Sequence, residues 1–199
     1  PFIVLLGKGD HQIRSSRTGQ YDSECPTTLD VTRSNITFLG TGKDTTTILG
    51  GFGIDNFENI TFKNMTVTNT SECGDGIRMR NAKVELFDVA LKGCDSAGLF
   101  IHSTSETTVV ATRCEFSNSG LTGAVVEGSL RSLTSATFKN CVFNDSQYHG
   151  IYGTNKVTIH LHGEDTTIHS NGYFGIFAQT SAKVIIHLPS HHNTTYNNG

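Results

Sequence analysis

The sequence predicts an all-β fold, a parallel β-solenoid of about six to seven coils with three short strands in each. Three observations predict it. The first is composition: 199 residues hold 21 Gly and only three Pro, with 36% hydrophobic and 17% charged residues. Together with abundant Thr, Asn and Ser, this suits short strands joined by tight turns. The second is an internal period of about 24 residues. The third is that each period holds three runs of alternating apolar residues and no sustained helical stripe.

The same composition excludes other classes. A net charge of −3 gives no basic footprint, so no nucleic-acid partner is expected. The apolar run from Phe2 to Leu6 is far shorter than the roughly 18 residues of a membrane span. The length fits one domain over 1–199 with a real core, and the chain reads as a piece of a longer protein.

Taken in order, the first run of each coil supplies Ile36 and Phe38, Ile60 and Phe62, Val84 and Leu86, Val109 and Ala111, Ala136 and Phe138, and Ile159 and Leu161. The second supplies Thr46 and Ile48, Met65 and Val67, Val89 and Leu91, Cys114 and Phe116, Cys141 and Phe143, and Thr166 and Ile168. The third follows a glycine: Gly76-Ile77, Gly98-Leu99, Gly123-Ala124, Gly150-Ile151 and Gly175-Ile176. Two inward residues per strand cannot close a core within one coil. Stacked coils can, because equivalent strands then align in parallel and their side chains form columns. The period would also suit a leucine-rich repeat, but that needs a Leu-rich consensus this chain lacks. A propeller blade needs about 40 residues.

With Gly-Ile opening one strand and Asn-Ile-Thr the next, and with Phe2 to Ile13 leading into Asn35-Ile36-Thr37-Phe38, the chain resembles the right-handed parallel β-helix of the pectin-lyase-like superfamily. The resemblance spans essentially the whole chain and implies the fold. It implies no single activity, since such coils host pectate and pectin lyases, polygalacturonases, uronan epimerases and phage tailspikes.

Cys114 and Cys141 fall in one inward column and read as packed thiols. Cys73 and Cys94 lie in successive turns and are expected to pair as a disulfide, with Cys25 as an alternative partner for Cys73. Six sequons, at Asn35, Asn59, Asn64, Asn69, Asn144 and Asn193, are glycosylation candidates. The same residue types also serve β-helix turns. An extracellular, cell-surface or virion setting is expected.

Chemistry is expected on the outward face of the Gly-led strands. One column there reads Arg78, Phe100, Val125, Tyr152 and Phe177, and the next reads Arg80, His102, Glu127, Thr154 and Gln179. Asp75, Ala97, Thr122, His149 and Phe174 stand just before the glycines. Rings stack on pyranose faces while polar groups fix hydroxyls or uronates, so Phe100, Tyr152, Phe174, Phe177 and Gln179 are the candidate glycan-binding residues. Among enzymes, hydrolysis is poorly served. The resemblance asks a polygalacturonase for clustered Asp, Gly-His-Gly and Arg-Ile-Lys, where this chain has Asp75, Asp95 and Gln147-Tyr148-His149-Gly150. Lysis or C5-epimerisation is better served. Arg78 or Arg80 would neutralise a uronate, His102, His149 or Tyr152 would exchange the proton, and Glu127 stands on the same face. The acidic calcium cluster of pectate lyases and the Asp-Pro-His of epimerases are not evident. No cofactor is expected, with calcium admitted only in the lyase reading.

Histidines crowd the last third of the chain. Aligning Val157 to His160 with Val184 to His187 stacks His160 over His187 with His162 nearby, a weak transition-metal candidate beside the plainer reading of a polar ladder. The leading expectation is a non-catalytic structural or carbohydrate-binding module whose partner is a polysaccharide, a glycan or a neighbouring protein chain. The alternative is a lyase or epimerase of a uronate polymer.

Overall fold

The computed structural model describes residues 1–14, 27–102, 106–129, 133–187 and 195–199. Among the described residues every helix or strand is a β-strand, and the strands pair in parallel from coil to coil. Seven of them, Thr28–Val31, Gly51–Asp55, Ile77–Arg80, Leu99–His102, Ala124–Glu127, Ile151–Thr154 and Ile176–Gln179, make the Gly-led sheet. The other fourteen form one sheet bent at a corner. Ile60–Thr68 and Lys83–Lys92 run round that corner as continuous strands, so the first and second runs of those coils merge. Elsewhere they stay separate, as in Thr107–Thr112 and Glu115–Ser117.

The corner is a backbone device. Asn64, Asp88, Arg113, Asn140 and Gly163 occupy it in successive coils, all with φ between 52° and 91°. Asn, Asp and Gly enter the left-handed region at low cost, which explains much of the Asn content. A second corner before the glycines uses Asn118, Asp145, Ser170 and Asn197 with φ between 51° and 56°.

The glycine that recurs in each coil serves close approach rather than unusual φ. A Cβ on Gly98 would stand 2.8 Å from the Gly123 carbonyl oxygen, and one on Gly123 would stand 2.7 Å from that of Gly150. Neighbouring coils therefore meet backbone to backbone along this column.

The inward columns form one continuous core. Rings fill it at two levels. Phe38 stacks on Phe62 at 5.0 Å with Phe52 against both, and Phe116 stacks on Phe143 at 4.7 Å with Phe138 nearly perpendicular to both. Between them the column narrows to Leu86, Met79 and Val89, all buried. Cys114 and Cys141 stack in that core as expected, and burial pushes the Cys141 thiol up.

The Cys73–Cys94 disulfide does not form. Asp95 N donates to Asn69 O at 2.9 Å, so Cys94 lies opposite Asn69 in a buried column continued by Ser119, Ser146 and Asn171. The coil of Asn69 spends seven residues in reaching its glycine, Gly76, where Cys94 needs four to reach Gly98. Cys73 belongs to this outward excess and is exposed, whereas Cys94 is a free, buried thiol that burial pushes up to about 12. Such a thiol is inert at neutral pH.

The expectation of glycosylation at Asn69 is likewise corrected. Its side chain is buried, donates to Asp75 O at 3.0 Å and accepts from the hydroxyls of Thr27 and Ser71. Asn35 and Asn59 are exposed and bonded to each other, with Asn59 Nδ2 donating to Asn35 Oδ1 at 3.0 Å. Asn64 and Asn144 are half-buried, while Asn193 lies outside the described residues, as do Cys25, His191 and His192.

Candidate functional site

The ladder register of the Gly-led sheet places side chains in the two outward columns read from the sequence. Arg78 pairs with Phe100, Phe100 with Val125, Val125 with Tyr152 and Tyr152 with Phe177. His102 pairs with Glu127, Glu127 with Thr154 and Thr154 with Gln179. Arg80 stands opposite Asp55 in the preceding coil. The face divides into a charged half and an aromatic half.

In the charged half the polar groups are committed to one another. Arg80 grips Asp55 with both Nε, at 3.0 Å, and Nη2. His102 Nδ1 lies 3.0 Å from Glu127 Oε2, and its ring stacks beside Phe100. The Arg78 guanidinium lies 5.3 Å from the Phe100 ring centroid. This geometry supports a cation–π contact while leaving the fork near solvent. Asp75 sits below this face, where burial raises its carboxyl above the usual range although Ala97 N donates to it at 3.0 Å.

The aromatic half is a stack. His149 lies parallel to Phe174 at 5.6 Å and tilted against Phe177 at 5.0 Å. Phe177 stacks with Tyr152 at 5.7 Å, and the Gln179 amide donates to the Tyr152 hydroxyl oxygen. Tyr148 and Tyr173, which the sequence reading did not single out, extend the patch as a parallel pair 5.1 Å apart. Both stand two residues before their glycine, Gly150 and Gly175, and that shared offset was their signal. Tyr148, Tyr173 and Phe174 are 42%, 54% and 50% exposed, so this is a ring surface rather than a second core.

His149 holds the patch together. The Phe174 N–H donates to its Nδ1 at 3.3 Å, which assigns the ring proton of the neutral form to Nε2. Burial lowers its pKa below the usual 6.5. Between that folded value and the unfolded one, the unfolded chain binds more protons, so stability rises with pH there. The contribution is present above about pH 6.5 and lost as pH falls through the folded value. Acidification also takes the lone pair that accepts the Phe174 N–H. His149 is therefore expected to titrate below the usual histidine value of about 6.5 by NMR, with the Phe174 ring resonances shifting in step. Titration at or above that value would contradict this.

On the bent sheet, His160, His162 and His187 converge. The register pairs His162 with His187 and His160 with Ile185, two residues away from the alignment expected from the sequence. His162 and His187 rings are parallel at 4.1 Å, and His160 Nδ1 reaches His187 Nε2 at 3.0 Å.

No curated protein sequence matches this chain. Among solved structures, the chain is similar to the pectin methylesterase of Yersinia enterocolitica, with a TM-score of 0.52 and 16% identity over 87% of this chain. It spans 65% of that enzyme's length, less than two thirds. It is also similar to the A-module of the mannuronan C-5 epimerase AlgE4 of Azotobacter vinelandii, with a TM-score of 0.41 and 14% identity over 92% of this chain and 67% of that one. At 16% identity the likeness to the methylesterase is one of fold. The model of the right-handed β-helix region matches residues 97–199, more than half of the chain, and the protein belongs to that family.

Proposed function

We propose that this chain is a non-catalytic carbohydrate-binding β-helix module of an extracellular or surface assembly, and that its Gly-led face is the binding surface. The observation that carries this is the ring stack of Tyr148, His149, Tyr152, Tyr173, Phe174 and Phe177, with Tyr148, Tyr173 and Phe174 exposed, on the same face as the Arg78 guanidinium. Rings repeated at the spacing of successive coils offer a sugar chain a row of stacking platforms, and Arg78 offers a uronate its counter-charge. The commitments among polar groups favour binding over turnover. Arg80 is held by Asp55, His102 by Glu127 and Tyr152 by Gln179, and the His149 lone pair is occupied. The likeness to a pectin methylesterase makes pectate the first ligand to try.

Titration calorimetry with pectate and alginate oligosaccharides tests the proposal. Binding without product is expected, and Tyr152→Ala with Phe177→Ala should weaken it about fivefold to a hundredfold, since each lost stacking contact is worth about 0.5–1.5 kcal/mol. Accumulation of unsaturated or C5-inverted sugar, abolished by Arg78→Ala, would replace the binding reading with the lyase or epimerase one. Failure of every uronan and neutral glycan to bind would sink both.

A further inference from the structure

We propose that His160, His162 and His187 form a surface site for a divalent transition-metal cation of the Zn2+ or Ni2+ type, bridging two adjacent coils of the solenoid. The site lies on the bent sheet and is independent of the glycan face. His160 and His162 alternate outward from Val157–His162, and His187 ends Lys183–His187, its parallel neighbour. Each imidazole offers one nitrogen, and the three nitrogens lie within 4.8 Å of one another.

Three imidazoles suit zinc or nickel and not calcium or magnesium, which take oxygen ligands. Zinc binds imidazole nitrogen at about 2.0–2.1 Å, which sets ligands of a tetrahedral shell about 3.4 Å apart. His160 and His187 already stand at 3.0 Å. The third nitrogen closes the remaining distance by side-chain rotation, because His160 and His162 are half-exposed and His187 is exposed. Lys139, in register with His162 on the preceding strand, is an exposed cation on a flexible stem. Its ammonium can swing into solvent when the ion enters. A fourth coordination position is left for water or an external ligand.

The ion would fasten Lys183–His187, the last strand of this arm among the described residues, to the coil beneath it. Binding to the folded chain alone raises its stability by mass action, so metal should protect that strand first.

The test titrates zinc chloride into the full chain by calorimetry at neutral pH and follows backbone hydrogen exchange of residues 183–187. One ion per chain is expected, with slowed exchange in that strand. His187→Gln should weaken binding at least tenfold, and His160→Ala, His162→Ala and His187→Ala together should weaken it at least a hundredfold. His169→Ala should change nothing, and circular dichroism of the triple variant should match that of the parent because these side chains point out of the core. Should the triple variant misfold, the His187→Gln affinity alone decides. An affinity unchanged by His187→Gln overturns the proposal, and so does binding abolished by His191→Ala with His192→Ala while the triple variant retains it.

Discussion

Phe138→Ala is expected to cost about 3–5 kcal/mol, read as a fall in the denaturant midpoint. The ring is fully buried and nearly perpendicular to those of Phe116 and Phe143, with centroids 5.5 and 5.0 Å away. Its register neighbours are Ala111 above and Leu161 below. Neither can collapse into the space, since Ala111 is small and Leu161 is held by its own ladder. The cavity therefore persists, and its lining loses dispersion contacts outright. The architecture amplifies the loss. Each coil is supported only by its neighbours, so a weakened coil in the middle of the stack uncouples the two ends. The transition should broaden as well as shift. A midpoint change worth less than about 1 kcal/mol would contradict this packing.

Gly123→Ala is the second large effect, and it tests the glycine column. The added methyl would stand 2.7 Å from the Gly150 carbonyl oxygen and 3.4 Å from Phe116 Cβ. That carbonyl cannot retreat, because it accepts the Ala124 N–H at 3.0 Å. The coils must separate locally, which strains the ladder, and a cost of about 1–3 kcal/mol or more follows. Gly7→Ala is the matched control, since nothing lies within 4 Å of its added carbon and it should be nearly neutral. If calorimetry finds the two variants equally stable, steric closeness is not what places a glycine in every coil.

The sequence made the repeat, the three strands per coil and nearly every inward column legible, because burial on one side of a pleated strand writes a two-residue alternation directly. The same alternation hides slips of two residues. The apolar alternation of Val157-Thr158-Ile159 fits Val184-Ile185-Ile186 at either offset, yet the ladder pairs Ile159 with Val184. His162 and not His160 therefore stacks on His187. Cys73 misled for a related reason, since its distance from Gly76 resembled that of Cys94 from Gly98. The three extra residues of that turn leave no periodic trace, and backbone hydrogen bonding puts Asn69 where Cys73 was expected. The register of the outward columns is legible because they share it with buried partners such as Leu99 and Ile151. What those side chains do to one another depends on rotamers. The column placed His102 beside Glu127 without showing that they bond, and Asp55, the partner of Arg80, was not read into it.

Arg113 shows what the backbone corner makes possible. It holds φ at 52° where its counterparts are Asn64, Asp88, Asn140 and Gly163, residues that favour that region. Its guanidinium forks onto Asp88 at 2.7 and 2.8 Å, holding that carboxyl below its usual range, and lies 4.0 Å from the Phe87 ring centroid. The bend thus survives without its preferred residue, held by the coils on either side. A position whose conformation is imposed by its neighbours is free to acquire new chemistry, and in a stack of near-copies each coil brings one such position to the same edge. Innovation in this molecule can accumulate along its corners, one coil at a time, without disturbing the column of rings inside.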